Sequence, residues 1–182
     1  MRTPFARLVV TAHTDGVPLS TPDHDPSAVA SATFSVPAEA VWQYRLDFSN
    51  LPEYNPDVTN LTRTQEGESI RAAGTNGPGA RYTFTMADPQ NPSGQPVELW
   101  IIDAVHPTMV AAGMKGGSEA YEEFVVMPQG EHACEATLML WILLPDGLND
   151  DVVAAASASG LAQIEKEMRL MKVALEARGA AS

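Results

Sequence analysis

Apolar and polar residues alternate from 29 to 36, where the sequence is VASATFSV. A period of two is typical of a strand with one buried face and one face toward water. Pro37 follows this strand, and because its missing N–H is not needed in a first helical turn, it predicts the start of a helix. Glu39 in that first turn suits the positive end of the helix dipole.

After Pro37 the apolar spacing changes to the three and four residues of a helix face. The stripe consists of Val41, Trp42, Arg45, Leu46 and Phe48, in which Arg45 is a charged interruption. Ser49 is predicted to cap a second short helix that runs through Tyr54 and is ended by Pro56. The pattern therefore predicts one strand followed by two short helices.

The middle of the chain is predicted to be a series of strands separated by short turns. The predicted strands are 58–64, 69–73, 81–86, 97–105, 108–114, 119–127 and 133–144. Short turns join antiparallel neighbours, so consecutive strands are expected to form hairpins. Residues 74–79 and 88–94 are predicted loops, and the glycine-rich 74–79 is a candidate lid. The stretch 134–144 is apolar at nearly every position, which predicts cover on both faces, or a cavity on one and a partner on the other.

Residues 150–178 carry the strongest helical pattern of the chain. Asn149 or Asp150 is predicted to cap this helix, and Gly179 to end it. Its predicted apolar face consists of Val153, Ser157, Leu161, Ile164, Met168, Met171 and Leu175. A sheet with one apolar face needs a cover, and this helix is the only large element available. The fold class predicted from the pattern is therefore α+β, with an antiparallel sheet.

Residues 1–28 are predicted to be an N-terminal arm, and 29–182 the folded domain. The arm would hold an extra strand at 5–12 and a polar loop at 20–26, lying at the sheet edge or partly mobile. Its possible metal ligands are His13, Asp15, Asp23, His24 and Asp25. Because their spacing matches no known metal motif, we predict neither a metal nor a cofactor.

Composition narrows the classes of partner. The net charge is −12, from 11 basic and 23 acidic residues, which disfavours binding to nucleic acid or to an anionic membrane surface. No apolar run approaches the roughly 20 residues of a membrane span, and no signal peptide pattern is present. We therefore expect no membrane insertion and a cytoplasmic location. The single cysteine, Cys134, lies in an apolar strand pattern that predicts an inert buried thiol.

The order of these elements resembles the helix-grip fold of the START/Bet v 1-like (SRPBCC) superfamily, in its polyketide cyclase/dehydratase-like branch. The most specific part is VPAEAVWQYRLDFSNLPEYNPDV at 36–58, and the likeness extends over residues 29–178. The resemblance implies a curved antiparallel sheet of about six or seven strands wrapped around the long C-terminal helix. It also implies a cavity between the sheet and that helix.

Aromatic and methionine side chains are the candidate wall of such a cavity, because flexible thioethers conform to irregular ligands. The candidate ligand-binding residues are Tyr54, Tyr82, Phe84, Trp100, Met139, Trp141, Ile164, Met168 and Met171. Ordinary core packing is the alternative interpretation for each of them.

Three functions fit the sequence. The first is a binding protein for a hydrophobic small molecule, lipid-like or polyketide-like. The second is a polyketide cyclase or dehydratase, for which Glu98 and Tyr82 are the candidate acid/base groups. The third is a ligand-free interaction module, possibly a homodimer, which strands that are apolar on both faces would suit.

Overall fold

The structure is a computed structural model that describes residues 13–14, 17–18, 20–70, 73–88, 91–116 and 119–179. Two two-residue strands, His13–Thr14 (β1) and Val17–Pro18 (β2), pair with each other near the N-terminus. The predicted strand at 5–12 lies outside the described residues. Among the helices of the described residues, none combines the length and the apolar character that crossing a membrane requires.

A curved seven-stranded antiparallel sheet forms the body of the fold. Its strands are Ala28–Phe34 (β3), Val58–Gln65 (β4), Arg81–Asp88 (β5), Asn91–Val105 (β6), Met109–Lys115 (β7), Glu119–Pro128 (β8) and Cys134–Leu143 (β9). The spatial order is β3-β9-β8-β7-β6-β5-β4, so five hairpins run in chain order and only β3 pairs out of sequence. The predicted α+β helix-grip fold is confirmed, with two short helices after its first strand.

The helices begin and end close to their predicted positions. They are Ala38–Leu46 (α1), Leu51–Tyr54 (α2) and Asp150–Gly179 (α3), with a 3-10 turn at Phe48–Asn50 between α1 and α2. The cap of that turn differs from the prediction, because the Asp47 carboxylate accepts from the Ser49 backbone N–H at 3.0 Å. At α3 the predicted cap Asn149 is confirmed, since its side-chain oxygen accepts from the Val152 N–H at 2.9 Å.

The two faces of the sheet pack against different parts of the chain. The inner face, which includes Phe84, Leu99 and Leu138, packs with α1 and α3 in one continuous apolar core. Alternate residues point to the outer face, where Met109, Ala111, Tyr121 and Trp141 form a second, smaller cluster.

The N-terminal segment 20–27 runs along the outer face of β8 and β9 rather than at the sheet edge. The Trp141 indole N–H donates to the His24 carbonyl at 2.9 Å, and the Thr21 hydroxyl donates to the Glu123 carboxylate at 2.6 Å. This cover explains why β9 is apolar on both faces. The pattern that suggested a partner chain therefore has an explanation within this chain.

Two predicted segments in the middle of the chain are wrong. Ile70 makes only a single bridge, to Gly74, so the described part of 69–73 is not a strand of the sheet. The predicted loop 88–94 instead includes the start of β6, because pairing with β5 gives Asn91 onward backbone partners despite local proline and glycine.

The predicted apolar face of α3 is only half confirmed. Ile164, Met168 and Leu175 are buried, but Val153 and Leu161 are exposed. The first six residues of α3 are all exposed, because this end of the helix lies beyond the packed core. The consequence is a space between the first half of α3 and the sheet.

Candidate functional site

An open cavity of about 630 Å³ lies between the inner face of the sheet and the first half of α3. The sheet contributes mainly apolar side chains, from Met86, Val97, Met114, Ala120, Leu140 and Ile142. The helix contributes small or polar ones, from Ala156, Ser159, Gly160, Ala162, Gln163 and Lys166. A concave, mostly apolar space with a few polar groups is the usual form of a small-molecule site.

Small residues on α3 shape the helix side of this space. At Gly160 the helix comes so close to β9 that an added Cβ would lie 2.9 Å from Ile142 Cδ1 and 3.2 Å from Leu140 Cδ2. One turn earlier, Ala156 is half-buried and presents only a methyl group. The helix therefore touches the sheet at Gly160 and leaves a gap toward its N-terminus.

The rim of the cavity is held by an ion pair between α3 and the turn before β4. Lys166 Nζ donates to Asp57 Oδ2 at 2.6 Å, with both side chains partly exposed. Exposed pairs of this kind contribute about 0–1 kcal/mol to stability, so the pair is easily opened. It links the helix to the chain around the cavity mouth.

A buried polar cluster lies in the core behind the cavity, centred on Arg45 of α1. The Arg45 side chain is 1% exposed and pairs with the Glu122 carboxylate of β8. Its Nη1 donates to the Tyr54 hydroxyl at 3.0 Å and lies 3.9 Å from Glu167 Oε2 of α3. The guanidinium carbon also lies 4.9 Å from the centre of the Phe48 ring. One cation therefore connects α1, α2, the sheet and α3.

Glu167 joins this cluster to the cavity. Its Oε1 accepts hydrogen bonds of 2.9 Å from both Asn55 Nδ2 and Gln163 Nε2, and Gln163 lines the cavity. Burial raises the pKa of the Glu167 carboxyl above its usual range, while the Arg45 charge opposes this shift. Burial also raises the pKa of the Tyr54 hydroxyl. Two protonatable groups with perturbed pKa values thus lie within the cluster.

Six of the nine predicted ligand-binding residues lie in the core on the inner side. They are Tyr54, Tyr82, Phe84, Ile164, Met168 and Met171, all buried. None of the six lines the 630 Å³ cavity, which opens farther toward the N-terminus of α3. Tyr82 donates to Asn76 Oδ1 at 3.2 Å, and burial raises the pKa of Tyr82 to about 12. This tyrosine is therefore tied to the 74–79 loop and lies outside the cavity lining.

The other three, Trp100, Met139 and Trp141, point to the outer face and not toward α3. Trp141 and Met139 belong to the outer cluster, and the Trp100 indole lies against Gly113. Glu98 shares this side of β6 and forms an exposed ion pair with Arg81 at 2.6 Å. Alternation places Glu98 and Trp100 on the same face of β6, but it does not show which face of the sheet meets the helix.

The buried charges were missed, although each left a signal in the sequence. Arg45 interrupts an apolar helix stripe, and Glu122 alternates with Ala120 and Phe124 on the inner face of β8. Glu167 lies on α3 three residues after the buried Ile164, on the side of the helix that packs on the core. Charged residues at apolar positions were the available indication of a polar cluster.

Comparison with known proteins agrees with this architecture. Residues 25–176 match the family described as polyketide cyclase / dehydrase and lipid transport, and the chain belongs to that family. The resemblance drawn from 36–58 is thereby confirmed. No curated protein shows significant similarity to the chain.

Solved structures of low sequence identity share the fold. A START superfamily protein from Mycobacterium smegmatis is 12% identical with a TM-score of 0.64, covering 82% of this chain and 96% of that one. The Zhui aromatase/cyclase from Streptomyces sp. R1128 is 11% identical with a TM-score of 0.64, covering 83% and 93%. The di-domain ARO/CYC BexL is 13% identical with a TM-score of 0.63, covering 82% and 46%.

Replacing Arg45 should destabilise the protein strongly. Arg45→Met removes the cation that compensates the buried Glu122, and an uncompensated buried charge costs about 3–5 kcal/mol. The double variant Arg45→Met/Glu122→Leu should be more stable than the single one, because both charges are gone. Urea unfolding of the three proteins measures this, and a loss below about 1 kcal/mol for Arg45→Met would contradict the assignment.

Glu167 should make stability depend on pH. Because its pKa is raised in the folded state, there is a pH range in which the folded protein still holds a proton that the unfolded chain has released. This contribution is complete below the ordinary glutamate pKa of about 4.3 and is lost as pH rises through the folded pKa. Relative to Glu167→Gln, the wild-type free energy of unfolding should therefore fall with rising pH. A difference between the two proteins that stays constant from pH 4 to pH 8 would contradict the raised pKa.

Proposed function

We propose that this protein binds a hydrophobic small molecule, polyketide-like or lipid-like, in the cavity between the sheet and α3. The observation that carries the proposal is the cavity itself, an open and mostly apolar space of about 630 Å³ with two amide side chains in its lining. Sites that bury drug-sized ligands are commonly about 300–1,000 Å³. The family description, which covers both polyketide chemistry and lipid transport, supports the same class of ligand.

The cavity walls also suit a ligand of variable shape. Met86 of β5 and Met114 of β7 both line the cavity, and methionine side chains adapt to irregular apolar partners. The open mouth beside the exposed first turns of α3 gives a ligand a direct way in. An apolar wall with an open mouth is suited to reversible binding.

Filling the cavity should abolish binding without unfolding the protein. Ala156→Phe adds a ring at a half-buried position of the lining, whereas Ala155→Phe adds the same ring at an exposed position one residue away. We expect Ala156→Phe to weaken binding of pyrene, followed by its fluorescence, by at least about tenfold, since the probe loses its apolar contact area. Ala155→Phe should bind as the wild type does. Equal affinity in both variants would place the bound probe elsewhere and refute the site.

A second candidate function is catalysis of ring closure or water loss on a polyketide-like substrate. The observation that favours it is the polar cluster behind the cavity, where Tyr54 and Glu167 have raised pKa values. Perturbed titratable groups beside a pocket are typical of active sites. Glu167 is one hydrogen bond from the cavity through Gln163, whereas the earlier candidate Glu98 is paired with Arg81 on the other side of the sheet.

Turnover of a polyketide-like precursor would separate these two carboxylates. Glu98→Gln should leave the rate within about twofold of the wild type, because its side chain does not reach the cavity. Glu167→Gln should lower the rate by about 10²-fold, the lower end of what a positioned acid or base contributes. A large loss in Glu98→Gln with a normal rate in Glu167→Gln would reverse the assignment.

A further inference from the structure

Two amide side chains interrupt the apolar lining of the cavity, Gln95 on β6 and Gln163 on α3. Each one directs its nitrogen at a carboxylate. Gln163 Nε2 donates to Glu167 Oε1 at 2.9 Å, and Gln95 Nε2 donates to Asp88 Oδ2 at 3.4 Å. An ionised carboxylate only accepts hydrogen bonds, so it fixes the nitrogen end of an amide toward itself.

The carbonyl ends of the two amides are left for a ligand. Among the described residues, no donor reaches the side-chain oxygen of Gln95 or of Gln163 within hydrogen-bond distance. A polar oxygen in an apolar cavity gains most from a donor on the bound molecule, because an unmade hydrogen bond there is costly. The lining therefore offers acceptors in a set orientation.

The orientation of Gln163 is the better determined of the two. Glu167 Oε1 receives both Asn55 Nδ2 and Gln163 Nε2, so two N–H groups converge on one oxygen. If Glu167 takes up a proton, the remaining Oε2 can hold it while Oε1 continues to accept both donors. The Gln163 amide is thus held in the same orientation in both protonation states of Glu167.

The charges around the cavity disfavour an anionic ligand. The charged side chains among the described lining residues are Asp57 and Lys166, and they pair with each other at 2.6 Å. Behind the amides stand two more carboxyl groups, Glu167 and Asp88. A carboxylate on the ligand would therefore lose its hydration without gaining a cation of its own, because the lining cation Lys166 is already paired with Asp57.

We propose that this cavity selects uncharged hydrophobic ligands that carry a hydroxyl group, and that the Gln163 carbonyl, oriented by Glu167, accepts the hydroxyl hydrogen. The inference rests on the proposed function, because it assigns the chemistry of the ligand to the same cavity. Gln163 is the specificity-determining residue and Glu167 is a positioning residue behind it.

Three pyrene derivatives of similar size test this selection by fluorescence titration at pH 7. Hydroxypyrene should bind more tightly than methoxypyrene by about threefold to tenfold, the range of one net hydrogen bond. Pyrene carboxylate should bind more weakly than hydroxypyrene by at least about tenfold, because the anion loses hydration and meets no cation that is not already paired. Carboxylate binding as tight as that of hydroxypyrene would overturn the proposal.

Variants assign the selection to particular residues. Gln163→Leu should bind methoxypyrene as the wild type does and lose the preference for hydroxypyrene. Glu167→Leu should weaken the preference for hydroxypyrene over methoxypyrene, since the acceptor that orients the Gln163 amide is lost. Glu165→Leu makes the same substitution at an exposed position on the same helix and should leave both the hydroxyl preference and the discrimination against the carboxylate unchanged. A hydroxyl preference that survives Gln163→Leu would also overturn the proposal.

The same titrations separate this inference from the function on which it rests. If none of the three probes binds the wild type, or if Ala156→Phe binds all of them normally, the ligand cavity itself is refuted and the inference falls with it. If the probes bind, Ala156→Phe excludes them, and the carboxylate is not disfavoured, then only the selection for neutral hydroxyl ligands is refuted.

Discussion

The buried charge of Arg45 is the interaction on which the arrangement of elements depends. A guanidinium that is 1% exposed must have its partners in place, because an unpaired buried cation is far less stable than a hydrated one. Its partners come from three elements: Tyr54 from α2, Glu122 from β8 and Glu167 from α3. The position of α3 over the sheet is therefore fixed at its middle by this cluster, while its first turns extend past the core. The cavity lies on the N-terminal side of that fixed middle, where α3 carries small residues around Gly160.

The same cluster gives the site its polar character. Glu167 accepts from Asn55 inside the core and from Gln163 in the cavity lining, so one carboxyl group belongs to both environments. Stability and recognition are coupled at this residue, because a change in its charge alters the core and the amide that faces the ligand.

The sequence pattern predicted the positions of the helices and strands better than it predicted which face of the sheet meets the helix. The period of two along β3 and β5, the helix stripe after Pro37 and the Asn149 cap all gave local elements that the structure confirms. Local periodicity says which residues share a face, but it does not say which face meets the helix, and so Trp100, Met139 and Trp141 were assigned to the cavity. Which face of the sheet is the inner one is decided by contacts with distant segments: α3 packs on one face, and residues 20–27 lie on the other. Glu122 and Glu167 were predictable only as charges out of place in apolar patterns.

The most direct test of the account is a crystal structure of the protein with hydroxypyrene bound. The account predicts the ring system between the sheet and α3, against the side chains of Met86, Met114 and Ile142, with its hydroxyl within hydrogen-bond distance of Gln163 Oε1. A probe bound instead on the outer face of the sheet, beside Trp100 or Trp141, would contradict it. That result would show that the space beside Gly160 is not the ligand site.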